Sequence, residues 1–238
     1  MNDRVDLLNI RALAFDTGGT ILDWHGGLVR AFIAAGAARG LSADWHAVVN
    51  EYRRRSLKAI VGQVRPAFNF DDVHRRVLDE VIADHGLVAL TPEDRDAIWG
   101  TWHKLDAWPG FAPALARLKS RFIVASFTLL TTRLVIEVSR RNGFVWDAIL
   151  SCEMIGHYKT RPDAYDTAAR WLQLDPSEIL MVACHNFDLD AARARGYRTA
   201  FVRRPDEWGP AGPPDPEPNP AVDVVVDDFD ALARRLGC

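Results

Sequence analysis

The stretch Arg11-Ala12-Leu13-Ala14-Phe15-Asp16-Thr17-Gly18-Gly19-Thr20 constrains this chain more than any other. Its apolar half reads as a strand, and the strand ends in a carboxylate that opens into a loop with two glycines. An Asp where a parallel strand meets its first loop stands at the edge at which open α/β sheets place their ligands. Carried into a cleft, that carboxylate can act as a nucleophile if later segments bring a cation and hydroxyl donors to it. Without them it would only cap the following turn.

The rest of the chain says what surrounds Asp16. Helical spacing predicts helices over Leu28 to Ala38, over Ala43 to Val61 with Ser42 as N-cap, and over Asp72 to Asp84 opened by Asp71. Thr91-Pro92-Glu93-Asp94 supplies an N-cap, a first-turn proline and acidic residues for a further helix over Glu93 to Lys104. No convincing strand falls between residues 24 and 105, so that block reads as an all-helical insert. From Trp108-Pro109-Gly110 onward, helices alternate with short apolar strands. The helices are Ala112 to Lys119, Thr131 to Arg141, Pro162 to Leu172, Leu189 to Arg195 and Phe229 to Leu236. The strands are Phe122 to Ser126, Ala148 to Leu150, Ile179 to Ala183, Thr199 to Val202 and Val222 to Val226. Such alternation implies parallel strands joined by right-handed crossovers. The seven prolines between Arg204 and Ala221 predict an extended surface loop.

Composition narrows the partners. Over 238 residues, 48% hydrophobic content suffices for a buried core, and a formal charge of -3 with interspersed signs leaves no basic surface for nucleic acid or an anionic membrane. Cys152, Cys184 and Cys238 have no metal-ligand spacing, which suits free thiols, no disulfide and a reducing compartment. The charged start Met1-Asn2-Asp3-Arg4-Val5-Asp6 leaves no room for a signal peptide, and no apolar run approaches membrane-spanning length. A cytoplasmic protein is expected. An apolar face on the helical insert would support a homodimer, which the sequence itself does not show.

Three later strand ends and loops matter together with Asp16. Ser126 and Thr128 end one strand, Lys159 lies in the loop Gly156-His157-Tyr158-Lys159, and Asp188 follows Cys184-His185-Asn186-Phe187 after another. Singly, each is an ordinary turn residue, solvated lysine or helix cap. Jointly, four loops offer carboxylate, hydroxyl, ammonium and carboxylate at the carboxyl edge of one sheet, the composition of an active site.

On Asp16-x-x-Gly19-Thr20, Ser126, Lys159, and Asp188 followed by Ala191-Ala192 and Gly196, the whole chain resembles the haloacid dehalogenase superfamily. Tyr158-Lys159 with Tyr165, the segment Val182 to Leu189, and Phe201-Val202-Arg203-Arg204-Pro205 followed by Glu207 look most like its type II haloacid dehalogenases. The resemblance implies an α/β fold: a Rossmann-like parallel sheet core (1-23 and 106-238) with an inserted all-helical cap domain (24-105). It also implies hydrolysis of a short 2-haloacid, without a cofactor, through an ester on Asp16.

The residues help choose between the superfamily's chemistries. Its phosphatases need a second aspartate two residues after the nucleophile as acid and base for the leaving alcohol; here that residue is Gly18. Their Mg²⁺ needs an acid just after the strand that precedes Asp188, where this chain has Ala183 and Cys184. Both losses point to metal-free chemistry at carbon, where a halide leaves without a proton. In that reading Lys159 keeps Asp16 ionised. Thr20 and Ser126 orient Asp16 or the substrate carboxylate, and Asp188 holds or activates the hydrolytic water. Arg53, ahead of Arg54 and Arg55, receives the halide. His185 positions water or lines the pocket, or is structural. Gly18, Phe127, Thr128, Tyr165 and Asn186 complete the candidate walls, with Trp24, Trp102 and Trp108 as an apolar surround or ordinary packing.

Departures from the family pattern bear on the substrate. The usual serine-asparagine-glycine is Ser126-Phe127-Thr128, the proline after the motif lysine is Thr160, and Gly18 replaces a common aromatic, which suggests extra space beside Asp16. A hydrolase for another leaving group, including a weak phosphatase, and a non-catalytic binder of small acids are the rival readings.

Overall fold

β1 (Ala12–Phe15) and β4 (Ile179–Ala183) are buried along their whole lengths. Strands with no polar face belong in the middle of a parallel sheet covered on both sides. In the computed structural model, which describes residues 7–238, they pair with each other there. β2 (Ile123–Thr128) and β3 (Ala148–Ser151) extend the sheet on one side; β5 (Arg198–Val202) and β6 (Val224–Val226) extend it on the other. The order is β3-β2-β1-β4-β5-β6 and every pairing is parallel. The winding direction reverses between β1 and β4, which opens a crevice at their carboxyl ends. Asp16 sits in that crevice, its backbone N–H donating to the Val182 carbonyl at 2.9 Å. The expected parallel α/β sheet with a helical insert is the observed fold.

The insert comprises α1 (Trp24–Ala38), α2 (Trp45–Ile60), α3 (Phe70–Asp84) and α4 (Pro92–Gly100), followed by a 3₁₀ turn over Thr101–Lys104. Its two connections to the sheet lie side by side. Asp23 N–H donates to the Asp106 carbonyl at 3.0 Å, and Trp108 N–H to the Ile21 carbonyl at 2.8 Å. Around the sheet lie α5 (Phe111–Lys119), α6 (Thr132–Asn142), α7 (Cys152–Ile155), α8 (Pro162–Leu172), α9 (Asn186–Ala194) and α10 (Phe229–Arg235).

Several helix starts differ from expectation, each for a local reason. α1 begins four residues early because Asp23 caps it, accepting from Gly26 N–H, so Gly26 and Gly27 lie in its first turns. A Cβ at position 27 would lie 2.6 Å from a Leu105 methyl, which would have to shift to admit it. Asp44, and not Ser42, caps α2; Asn69, and not Asp71, caps α3 in a capping box with Asp72. α9 starts at Asn186 with His185 in the N-cap position, so Asp188 falls in the first turn. The helix expected over Glu93 to Lys104 narrows to a 3₁₀ turn after Gly100, a residue that destabilises a helix interior. α7 was not anticipated, being a single turn between Ser151 and Gly156.

Among the described residues no helix is long and apolar enough to cross a membrane. The segment Met1 to Asp6, on which the reading of the N-terminus rested, lies outside the described residues.

Candidate active site

Asp16 is anchored from three directions. Thr20 Oγ1 donates to Oδ2 at 2.7 Å, Lys159 Nζ to Oδ1 at 3.3 Å, and His185 Nδ1 lies 3.3 Å from Oδ2. Burial alone would raise the Asp16 carboxyl, but Lys159, His185 and the Thr20 hydrogen bond together hold it well below the usual carboxylate range. The group is an ionised, desolvated carboxylate at neutral pH.

Lys159 is itself buried, and burial would lower its pKa; Asp188 and Asp16 outweigh that and raise it. Its ammonium donates to Asp188 Oδ2 at 2.6 Å and stands 4.5 Å above the Phe127 ring. The other Asp188 oxygen accepts from Tyr165 OH at 2.7 Å. Both carboxylate oxygens therefore accept, one from Lys159 and one from Tyr165. Tyr165, six residues after Lys159, is thus held against Asp188.

Of the three consecutive arginines, helix geometry turns only Arg53 inward. Arg54 is exposed over Trp208, and Arg55 pairs with Glu51 and Asp84. The Arg53 guanidinium lies 5.4 Å from the Trp24 ring, 5.9 Å from Phe70 and 5.5 Å from Trp102. Nη2 donates to the Gly18 carbonyl at 3.4 Å, while Nε and Nη1 are buried without a hydrogen-bond partner. Burial lowers the pKa of this arginine, against the pull of Glu207 and Asp16. Trp24 and Trp102 thus pack against the cation, and Trp108 Nε1 holds the nucleophile loop by donating to the Gly19 carbonyl at 2.7 Å.

Four expectations need correction. Gly18 does not open free space, because a Cβ there would meet Arg53 Nη2 at 3.4 Å and Leu130 methyls at 3.7 and 3.8 Å. Ser126 pairs with the Thr17 hydroxyl at 2.7 Å and so supports the loop beside Asp16 instead of Asp16 itself. Thr128 Oγ1 accepts from Leu130 N–H at 3.1 Å, which shapes the turn after β2. Asn186 holds the proline-rich loop. Its side chain bonds the Glu217 carbonyl and the Asn219 N–H of the proline-rich loop, each at 2.9 Å.

Sequence reasoning gave no role to Glu207. It is 1% exposed, accepts from Trp24 Nε1 at 3.0 Å, and pairs with His185 Nε2 at 3.0 and 3.2 Å. Its surroundings in a proline-rich, polar stretch read as solvated loop; the available signals were its part in the stretch after Phe201 that resembles the type II haloacid dehalogenases and its place just after β5, at the same sheet edge as Asp16. Burial opposes ionisation of Glu207, but His185, the Trp24 hydrogen bond and Arg53 lower its pKa. His185 is lifted well above 6.5: burial would depress it, yet Cys184, Glu207 and the hydrogen bond to Asp16 outweigh burial. The Cys184 thiol is pushed up to about 11 by burial and by Glu207.

Cys184, His185 and Glu207 are the one group of three among the described residues whose donor atoms converge closely enough for an ion, within 4.8 Å of one another. These atoms are already paired, with Cys184 Sγ 3.4 Å from His185 Nε2 and 3.6 Å from Glu207 Oε2, and with Trp24 on Glu207. They form a hydrogen-bonded cluster behind Asp16.

Sheet order, helical insert and a buried carboxylate beside a lysine at the switch point define a capped α/β protein of the aspartate-site hydrolase class. A model of the haloacid dehalogenase-like hydrolases matches residues 10–196, and the chain belongs to that family. Two solved structures are similar over nearly the whole length. One is an L-2-haloacid dehalogenase, at TM-score 0.88 and 34% identity, covering 96% of this chain and 99% of that one. The other is a defluorinating L-2-haloacid dehalogenase, at TM-score 0.88 and 33% identity, covering 96% of each chain. The (S)-2-haloacid dehalogenase 1 of Pseudomonas sp. (strain CBS-3) is 26% identical over 199 residues, covering 82% of this chain and 85% of that protein.

Proposed function

We propose that this protein hydrolyses short 2-haloacids by displacement at carbon, with Asp16 as the nucleophile. The observation that carries the reading is an ionised carboxylate held between Lys159 and Thr20, with Gly18 where an acid-base carboxylate would serve a leaving alcohol. A nucleophilic carboxylate with no second carboxylate two residues on to protonate an alcohol suits a leaving group that departs as a stable anion. The names of the similar proteins support the same chemistry.

In the first step an Asp16 oxygen attacks the carbon bearing the halogen, the carbon–halogen bond breaks, and an aspartyl ester forms. The unpartnered Nε and Nη1 of Arg53, in a box of Trp24, Phe70 and Trp102, form the anion subsite for the halide. Helices α1 to α4, within residues 24–105, act as the cap that carries this arginine to the sheet edge. In the second step water attacks Cγ of the ester and frees a 2-hydroxyacid. The free thiols Cys152, Cys184 and Cys238 suit a reducing, cytoplasmic setting.

The test is halide release from chloroacetate, fluoroacetate and both enantiomers of 2-chloropropionate, with EDTA present, by wild type and Asp16→Asn. Release that survives EDTA and is lost in the variant is the expected result. Release from none of them, or turnover that depends on added Mg²⁺, overturns the reading.

A further inference from the structure

We propose that His185, fixed from behind by Glu207, is the base that activates water in the second step. The inference rests on the dehalogenase reading and deepens it, since it moves water activation from Asp188 to a pair of residues reached through β4 and the loop after β5.

Three geometric facts carry it. The first is that Asp188, only 1% exposed, already accepts at both carboxylate oxygens, Oδ2 from Lys159 at 2.6 Å and Oδ1 from Tyr165 at 2.7 Å. The second is that His185 spans two carboxylates: Nδ1 is 3.3 Å from Asp16 Oδ2, and Nε2 is 3.0 Å from Glu207 Oε1. A water held by Nδ1 is thereby within reach of Asp16 Cγ. The third is that the chain is built to seat Glu207 there. Gly19 has φ +95°, and a Cβ on it would fall 2.0 Å from Glu207 Oε1; Trp24 Nε1 fixes the same oxygen at 3.0 Å. The ring of His185 also stacks on Phe187, with centroids 5.3 Å apart.

This is the arrangement of nucleophile, base and orienting acid that positions a proton acceptor by hydrogen bonding on its far side. Glu207 holds the proton on Nε2, so a neutral His185 presents its Nδ1 lone pair toward Asp16. The charged and titratable groups around His185 are Asp16, Glu207 and Cys184, with Arg53, Arg204 and His25 acting on Glu207. In the resting enzyme two carboxylates favour the imidazolium. Ester formation removes the charge of Asp16, and burial then favours the neutral ring. The Nδ1 proton released at that point is the net proton of the reaction.

The second step then balances. Nδ1 takes a proton from water as the water oxygen bonds to Cγ. The bond between Cγ and the ester oxygen, the former Asp16 Oδ now joined to the substrate carbon, breaks, and the imidazolium returns that proton to the departing alkoxide, giving the 2-hydroxyacid. The acid proton left on Asp16 passes to His185 and restores the imidazolium–carboxylate pair. The sum is haloacid plus water to hydroxyacid, halide ion and proton.

The test uses rapid mixing with chloroacetate, following halide released per enzyme and the mass of the intact protein, for wild type, His185→Asn and Glu207→Gln. Wild type should turn over steadily. His185→Asn should release one equivalent of halide and then slow by about 10²-fold or more, with a carboxymethyl group persisting on Asp16. Glu207 is a positioning residue, so Glu207→Gln should slow ester hydrolysis more than halide release and move the acid limb of that step to lower pH. A folded His185→Asn that clears the ester at the wild-type rate, or that forms no ester, overturns the assignment. If His185→Asn does not fold, an unshifted pH profile in Glu207→Gln overturns it. Absence of halide release by wild type would instead sink the dehalogenase reading on which it rests.

Discussion

Lys159 is bound more tightly to Asp188 than to Asp16: its ammonium is 2.6 Å from one carboxylate and 3.3 Å from the other. The shorter contact anchors the cation, and the longer one leaves Asp16 free to use an oxygen as nucleophile. Removing one partner of such a buried charge cluster costs stability, because the charges left behind lose their compensation.

Lys159→Met should therefore cost stability as well as activity. It leaves Asp188 buried without its cation and Asp16 with only His185 and Thr20, a loss of about 3–5 kcal/mol at neutral pH. Halide release should fall by about 10²-fold or more, as expected when a preorganised charge partner is removed. The stability gap to wild type should narrow as pH falls, since protonation relieves the stranded carboxylates. Urea unfolding at several pH values measures this.

Tyr165→Phe removes one donor from Asp188 Oδ1 and leaves that oxygen buried and unpaired. The expected cost is about 1–3 kcal/mol in chemical unfolding. Activity should survive at a reduced level, because Lys159 remains to hold Asp188.

Glu207 gives a pH test with a definite sign. Its folded pKa lies below the ordinary 4.5. Its ionised form therefore contributes stability above that value, lost as pH falls through the lower folded pKa. Glu207→Gln should be less stable than wild type at pH 7, and the two melting curves should converge in acid. His185 acts in the opposite direction. Its pKa is raised in the fold, so its contribution is full below pH 6.5 and lost as pH rises through the higher folded value.

Gly18 and Gly19 are small for different reasons. Gly18→Ala adds a methyl at ordinary contact with Arg53 and Leu130 and should change turnover little, whereas Gly18→Phe must displace the Arg53 guanidinium and should raise KM and lower kcat together. Gly19→Ala combines φ +95° with a clash against the buried Glu207, and should lose more than about 1 kcal/mol of stability. Steady-state kinetics and thermal melts of the three variants separate these effects.

Much of this was legible in the sequence because it depends on local pattern. The burial of β1 and β4 follows from unbroken apolar runs, and Asp16, Lys159 and Asp188 were found because strand ends and adjacent loops in a parallel sheet share one edge. The face of α2 that turns inward was not readable, since Arg53, Arg54 and Arg55 have equal composition and only packing against Trp24, Phe70 and Trp102 selects the first. Glu207 was missed because a lone acid among prolines resembles solvated loop; its burial depends on Trp24, His185 and a glycine nearly 190 positions earlier. The apparent gap at Gly18 was misread for the same reason, as the side chains that fill it come from α2 and from the turn after β2.

The central claim is that Asp16 becomes esterified, and a single turnover in heavy-oxygen water tests it most directly. With enzyme in excess over chloroacetate, the account predicts solvent oxygen in the Asp16 carboxylate and ordinary oxygen, from Asp16, in the glycolate released. Solvent oxygen appearing in glycolate during that first turnover, with Asp16 unlabelled, would mean that water attacks the substrate carbon and would contradict it.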